Sequence, residues 1–359
     1  MIGSVPPPAH GQSIAFSVAL EAAKKEFTVK VIKTSFRSNN PIGFFLKVIR
    51  YIVAVPWFIF VFRPNVVYFL CSRSLVGGMR DVYLLALLYF SDVRVLNHLH
   101  GSDFQTYLDS LPHLYQSLVK TLFRRVDKHA VLVDGMEKEF LTVTSIQNVQ
   151  VIPNFYRLDK LEREISHSEI RNVDVLNVVY LSSIMPSKGI FHLIDAIKKV
   201  NNRNKKFRLL VAGGFLGDDC NGLSEVKEKF EFELNNNDFI EYQGIIGDKD
   251  KTALLKSSHI FSLPSYYRSE AVPLAILESM AVGCAVITTR YKYLPTFVKS
   301  GQNGELVNVK SVNDLAEKLQ NLYDDREKLI RIMKNNQLQA KAMYSESVYK
   351  DNIIEFLRG

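Results

Sequence analysis

The chain reads as an α/β protein of two doubly wound domains, each a parallel sheet covered by helices on both faces. Its 359 residues suit two domains of ordinary size and leave length for two buried cores. Short apolar, β-branched runs alternate with longer helical patterns, which is the signature of βαβ units. The alternation stops once, at a charged stretch, and then restarts.

In the first half the expected strands are Met1 to Val5, Phe27 to Lys33, Val66 to Leu70, Val93 to His100, His129 to Asp134 and Val149 to Pro153. In the second half they are Val175 to Ser182, Phe207 to Ala212, Phe239 to Tyr242, His259 to Leu263, Ala285 to Thr289 and Gly304 to Val309. These runs are apolar rather than strictly alternating, as expected for strands covered on both faces. Between them lie amphipathic helices. In Phe191 to Val200, for example, Phe191, Leu193, Ile194, Ile197 and Val200 make one apolar stripe. The charged stretch YRLDKLEREISHSEIRNVD after Asn154 is the expected linker. That places one domain at residues 1–160, a second at 161–340, and a final helix at 341–359 able to pack on either. Ligands of such sheets bind outside the carboxyl ends of the strands.

A composition of 47% hydrophobic and 23% charged residues excludes a disordered or fibrous chain. Three scattered cysteines, Cys71, Cys220 and Cys284, form no metal-binding pair and point to a reducing, cytoplasmic setting. The start, MIGSVPPPAHGQS, lacks the pattern of a secretory signal. The most apolar run, Tyr51 to Leu70, is interrupted by Arg63, Pro64 and Asn65, which argues against a spanning helix.

The segment richest in chemistry is PSYYRSEAVPLAILESMAVG, Pro264 to Gly283. Glu270 falls in the loop after a buried strand and Glu278 inside the helix that follows. The free N–H groups of the residues near Ala271 to Leu274, at that helix start, suit a phosphate. A carboxylate is the natural acceptor for paired sugar hydroxyls. In VYLSSIMPSKG, Lys188 and Gly189 open a helix where an ammonium and backbone N–H groups can cradle a diphosphate.

SEAVPLAILESMAVGCAVI resembles the donor-binding signature of family 4 retaining glycosyltransferases, of the bacterial surface-polysaccharide type. The resemblance implies the GT-B fold, two Rossmann-like domains facing a central cleft, with residues 1–160 as the acceptor-binding domain and 161–340 as the donor-binding domain. It implies that Glu278 holds the ribose hydroxyls of a nucleotide sugar and Glu270 contacts the transferred sugar. Ala271 stands where the family usually has glycine. Lys188 matches the lysine of the family's G-R-x-x-x-x-K-G element, and Ser183 fills the arginine position. One expected phosphate-binding charge is therefore absent, with Arg268 a candidate substitute. Gly213 and Gly214 resemble the loop beside the donor base, and Gly244 the strand end next to the nucleotide. Gly11, beside His10, corresponds to the glycine-rich loop near the donor phosphates. His100, at a strand end before Gly101, matches a histidine that contacts the transferred sugar, while His98 reads as a core residue. The implied catalytic residues are thus His100, Glu270 and Lys188.

Asp248-Lys249-Asp250 matches the D-x-D of metal-dependent sugar transferases but precedes a helical run, so N-capping explains it. No metal and no cofactor are expected, the nucleotide sugar being a co-substrate. Gly77 and Gly78 make no dinucleotide fingerprint. The expected reaction moves a hexosyl or N-acetylhexosaminyl group from a nucleoside diphosphate sugar, UDP-linked, to a glycan or polyprenyl-diphosphate-linked acceptor. A nucleotide-sugar epimerase of the same fold and a non-catalytic nucleotide-sugar-binding subunit stand as alternatives.

The net charge of +8 is not evenly spread. Residues 1–160 hold 18 Lys and Arg against 11 Asp and Glu, whereas the remainder is nearly balanced. With Lys47, Arg50, Trp57, Phe58, Phe60, Phe62 and Arg63, the first half combines basic and aromatic residues suited to an anionic leaflet at the inner face of the plasma membrane. A buried helix over Tyr51 to Phe62 is the competing expectation. No recognition motif for nucleic acid accompanies the charge.

Overall fold

The computed structural model describes residues 1–6, 11–34, 41–157 and 163–359. The chain divides into two units, Met1–Asn154 with Glu346–Gly359, and Phe155–Ser345. In the first unit the order is β1 (Ile2–Gly3), α1 (Gly11–Glu26), β2 (Ile32–Lys33), α2 (Pro41–Trp57), β3 (Val66–Leu70), α3 (Leu75–Leu88), β4 (Arg94–His98), α4 (Phe104–Asp109), α5 (His113–Phe123), β5 (Lys128–Val131) and β6 (Val149–Val151). The second unit continues with α6 (His167–Asn172), β7 (Leu176–Leu181), α7 (Ile190–Val200), β8 (Phe207–Ala212), α8 (Leu223–Asn236), β9 (Ile240–Tyr242), α9 (Asp248–Lys256), β10 (Ile260–Leu263), α10 (Leu274–Ala281), β11 (Ala285–Thr289), α11 (Leu294–Phe297), β12 (Gly304–Val307), α12 (Val312–Asp324) and α13 (Arg326–Met343). The last helix, α14 (Glu346–Arg358), belongs to the first unit.

Each unit holds a six-stranded sheet, ordered β2-β1-β3-β4-β5-β6 in the first and β12-β11-β10-β7-β8-β9 in the second. All of the pairings are parallel. The strand order reverses between β1 and β3 in one sheet and between β7 and β10 in the other. Connections on either side of such a switch point leave in opposite directions, and the carboxyl ends there open a crevice.

Every expected strand forms, and the edge strands are shorter than expected. β2 begins only at Ile32 because Phe27 still closes the end of α1, its N–H bonding to Ala23 O at 2.8 Å just past the last helical residue, Glu26. β10 and β11 are buried along their whole length, which is why they carry no polar alternation. α14 packs on α1: the Tyr349 hydroxyl donates to Ala15 O at 3.2 Å, and Arg358 pairs with Glu26 at 2.5 Å. Arg94 donates to the carbonyls of Leu357 and Arg358, placing a cation on the negative end of α14.

The structure corrects two expectations of local structure. The apolar helix does not run over Tyr51 to Phe62. It starts at Pro41 and closes in a π-helical turn over Phe58–Phe62, so Arg63, Pro64 and Asn65 mark its end and do not interrupt it. Ile42–Phe62 is thus 21 residues with a mean hydropathy of 1.9, long and apolar enough to cross a membrane. Nor is it a buried helix. Among the described residues only Tyr51, Val55 and Ile59 are buried, one stripe at a spacing of four that packs on the unit; Val48, Ala54, Phe58 and Phe62 are half-buried, and Ile49, Ile52, Val53, Trp57, Phe60 and Val61 are among the exposed apolar residues. The expected linker is the second case, since its later part folds as α6, with the Ser166 hydroxyl accepting from the Glu169 N–H at 3.4 Å.

Candidate active site

The crevice of the second sheet lies outside the carboxyl ends of β7 and β10. β7 leads through Ser182 and Ser183 into a 3₁₀ turn, Pro186–Lys188, and then Gly189. Gly189 has φ +82°, and a Cβ there would lie 2.2 Å from Pro264 O. Only glycine allows the turn after β7 to sit this close to the loop after β10. The Tyr266 N–H donates to Ser187 O at 2.8 Å across the same contact. Lys188 therefore ends the 3₁₀ turn, and α7 opens one residue after Gly189, not at Lys188 itself.

That junction brings Lys188 and Glu270 together. Lys188 Nζ lies 2.7 Å from Glu270 Oε2, and both side chains are largely buried. The Ser265 hydroxyl donates to the same carboxylate oxygen at 2.5 Å, and the Lys188 ammonium stands 4.7 Å from the centre of the Tyr267 ring. Asp218 accepts from the Ser187 N–H at 3.0 Å and so braces the turn from β8's side.

The second carboxylate is buried because α10 is covered on nearly all faces. Glu278 Oε1 pairs with Lys251 Nζ at 2.6 Å, and Lys251 also reaches Asp248 Oδ1 at 3.2 Å. Burial raises the Glu278 carboxyl above the usual carboxylate range, with Lys251 pulling against it. Burial alone would lower the Lys251 ammonium, but Glu278 and Asp248 outweigh it and hold Lys251 above its ordinary value. Asp248 and Asp250 do not cap α9. The cap position is Gly247, and the two aspartates sit in the first turn, where they complement the positive end of the helix.

The segment Ala271 and Val272 is buried, with Pro273 capping α10 and Leu274 opening it. The Pro273 cap makes no side-chain bond to the first N–H groups. Gly213 ends the strand beside β7, its N–H bonding to Gly244 O at 2.8 Å, and φ of +148° lets it pass Ser182 O without a clash. Gly214 O accepts from the Ile184 N–H, and Ser183 O accepts from the Tyr180 hydroxyl, so Ser183, Gly213, Gly214 and Gly244 line adjoining strand ends. Arg268 is exposed and sits 3.5 Å from Asp219.

In the first unit, Gly11 begins α1, while His10 lies outside the described residues. His100 follows β4, its ring centre 4.2 Å from that of His98. His98 is fully buried and shares a 2.9 Å bond between Nδ1 and the Tyr68 hydroxyl. Burial, followed by the neighbouring His100, holds the His98 imidazole well below its usual range. Beside this strand end Arg73 pairs with Asp103 at 2.6 Å and packs over Gly101.

Ser265, Lys251, Arg73 and Asp103 escape sequence reasoning. Ser265 precedes Glu270 within P-S-Y-Y-R-S-E, and Lys251 lies one turn after Asp248, so both signals were present as spacing but not as chemistry. Nothing local links Arg73 to Asp103, thirty residues on.

Residues 162–339 match the family of glycosyl transferases group 1. An uncharacterized glycosyltransferase of Methanocaldococcus jannaschii is 22% identical over 297 residues, covering 80% of this chain and 68% of that one. The Salmonella typhimurium glycosyltransferase WcaL, named for colanic acid biosynthesis, is 25% identical over 61% of this chain, and the match spans about half of that relative, 53%. Among solved structures, Anabaena HepE in complex with UDP-glucose superposes with a TM-score of 0.73 at 16% identity, covering 99% of this chain and 98% of that one. The two parallel sheets and this full-length likeness give the chain the GT-B fold.

Proposed function

We propose, from the premise that residues 162–339 carry a group 1 glycosyl transferase domain, that the protein is a retaining, metal-independent glycosyltransferase. It moves a hexosyl or N-acetylhexosaminyl group from a UDP-linked sugar to a glycan on a lipid-linked acceptor such as a polyprenyl diphosphate. The observation that carries the reading is the Lys188–Glu270 pair at the switch point, 2.7 Å apart. A cation and a carboxylate stand together where a departing diphosphate and sugar hydroxyls need one each.

On donor binding Glu270 exchanges the ammonium for sugar hydroxyls, and Lys188 turns to the diphosphate. Stabilising the charge of a leaving group is commonly the largest catalytic contribution. Ser265 and Tyr267 keep the two side chains in place during that exchange. Glu278 accepts the ribose hydroxyls, with Lys251 holding it in the charged form. His100 acts on the transferred sugar, and front-face departure and attack account for retention. UDP-glucose in the HepE structure supports the donor, and the name of WcaL supports surface-polysaccharide assembly. The exposed apolar face of α2 supports peripheral attachment to the cytoplasmic face of a membrane. The epimerase and binding-subunit readings gain nothing from the domain match.

A thermal-shift screen of nucleoside diphosphates and their sugars tests the donor site. UDP and one UDP-sugar raise the melting temperature, Glu278→Ala weakens that binding by about tenfold or more, and turnover persists in EDTA. His100→Ala lowers turnover and leaves UDP affinity unchanged. A flat screen, or a Glu278→Ala protein that binds and turns over normally, overturns the proposal.

A further inference from the structure

The first unit contains a cavity of about 470 Å³ that belongs to no part of the donor site. Its walls are Ala23 of α1 and Phe27 just after it, Val55 of α2, Ile59 and Phe62 of the π-helical turn, and Leu84 of α3. It lies at the amino ends of β1, β2 and β3, where Ile2, Ile32 and Val66 begin their strands. Gly11 and His100 follow the carboxyl ends of β1 and β4, at the other end of the same sheet. The volume is within the range of about 300–1,000 Å³ typical of ligand pockets.

Two further observations define the occupant. Lys30 and Arg63 line the cavity and are exposed, and Arg63 adopts a left-handed conformation, φ +48°, that few residues with side chains accept. Glu26, the acid among the lining residues, is engaged by Arg358, and its neighbour Glu21 by Lys350. The first hundred residues, which supply most of the lining, hold 11 Lys and Arg against 4 Asp and Glu. The second observation is continuity. The helix whose inner stripe walls the cavity exposes Ile49, Val53, Trp57, Phe60 and Val61 on its outside, Val53 at 64%. A hydrocarbon chain leaving a leaflet under that outer face passes to the inner face past the basic residues, exchanging one apolar surrounding for another while its anionic head stays among cations.

We propose that the cavity between α1, α2 and the amino ends of β1–β3 binds one hydrocarbon chain of an anionic membrane lipid, as an anchor separate from the substrates. The proposal deepens the membrane-surface reading above and rests on it for the source of the chain. The probe is cis-parinaric acid, a fluorescent polyene fatty acid, titrated onto the full chain without membranes.

One saturable site is expected, displaced by phosphatidylglycerol vesicles and not by phosphatidylcholine vesicles. Ala23→Phe, which fills the cavity, reduces affinity by about tenfold or more. Ile59→Trp does the same from the opposite wall if the first variant melts early. Lys30→Glu weakens binding several-fold with an unchanged melting temperature. Val53→Ser with Trp57→Ser reduces sedimentation with phosphatidylglycerol vesicles but leaves the parinaric acid titration intact. Absence of saturable binding, or binding unaffected by both filling variants, overturns the cavity even where vesicles still bind. Chain uptake without vesicle binding supports the cavity and overturns the membrane-surface reading.

Discussion

Lys188 and Glu270 are each costly to bury alone and tolerable together. Removing one partner of a buried pair leaves an uncompensated charge at a cost of roughly 3–5 kcal/mol. Lys188→Met is therefore predicted to lower stability by about 3 kcal/mol in urea denaturation, and Lys188→Met with Glu270→Gln to recover most of it while remaining inactive. A double variant no more stable than the single one would show that the pair is not coupled in this way. Glu278 and Lys251 form the parallel case with a different purpose. Burial favours the neutral carboxyl and Lys251 favours the carboxylate, so the protonation of Glu278 depends on its neighbour.

At the scale of elements, turns decide whether these residues meet. β7 and β10 are adjacent in the sheet, with Ile260 opposite Val178, but their following loops touch because Gly189 takes φ +82° against Pro264 O. Gly189→Ala is predicted to cost about 2 kcal/mol, from the left-handed backbone and the displaced carbonyl. It also weakens UDP binding, because Pro264 immediately precedes Ser265. Equal stability of the alanine variant in thermal denaturation would refute this. α2 illustrates the opposite relation between element and sequence. Its composition alone does not distinguish a spanning helix from a core helix or a surface one. The stripe Tyr51, Val55, Ile59 shows which side faces protein, and that stripe follows from where α3 and β3 lie, the Tyr83 hydroxyl donating to Ile52 O at 2.8 Å.

For the molecule as a whole, two buried imidazoles, His98 and His129, and the half-buried His259 couple stability to pH. Burial holds His98 well below the usual range, His129 at about 3 and His259 at about 4. The unfolded chain takes up these protons near pH 6.5, as ordinary histidines do, while the folded protein does not until far lower. Stability is thus full above about pH 6.5 and falls as the pH drops from there towards about 4, by roughly 1 kcal/mol per histidine per pH unit. Asp81 and Glu278, raised by burial, act with the opposite sign and favour the folded state at low pH. His259→Gln, which can still accept the Asn177 N–H, is predicted to reduce the slope between about pH 6.5 and 5 by one proton in urea titrations; an unchanged slope would exclude His259. The alternation of apolar strands and amphipathic helices, the position of every strand, and the placing of Glu270 in a loop and Glu278 in a helix are all determined by the sequence itself. Local periodicity and turn chemistry act over a few residues, and they are written there directly. What tertiary structure alone decided is the pairing of Lys188 with Glu270, 82 residues apart, of Lys251 with Glu278, and which side of α2 meets solvent. Those depend on strand order and on close approach of backbones far apart in the chain, and no local pattern records either.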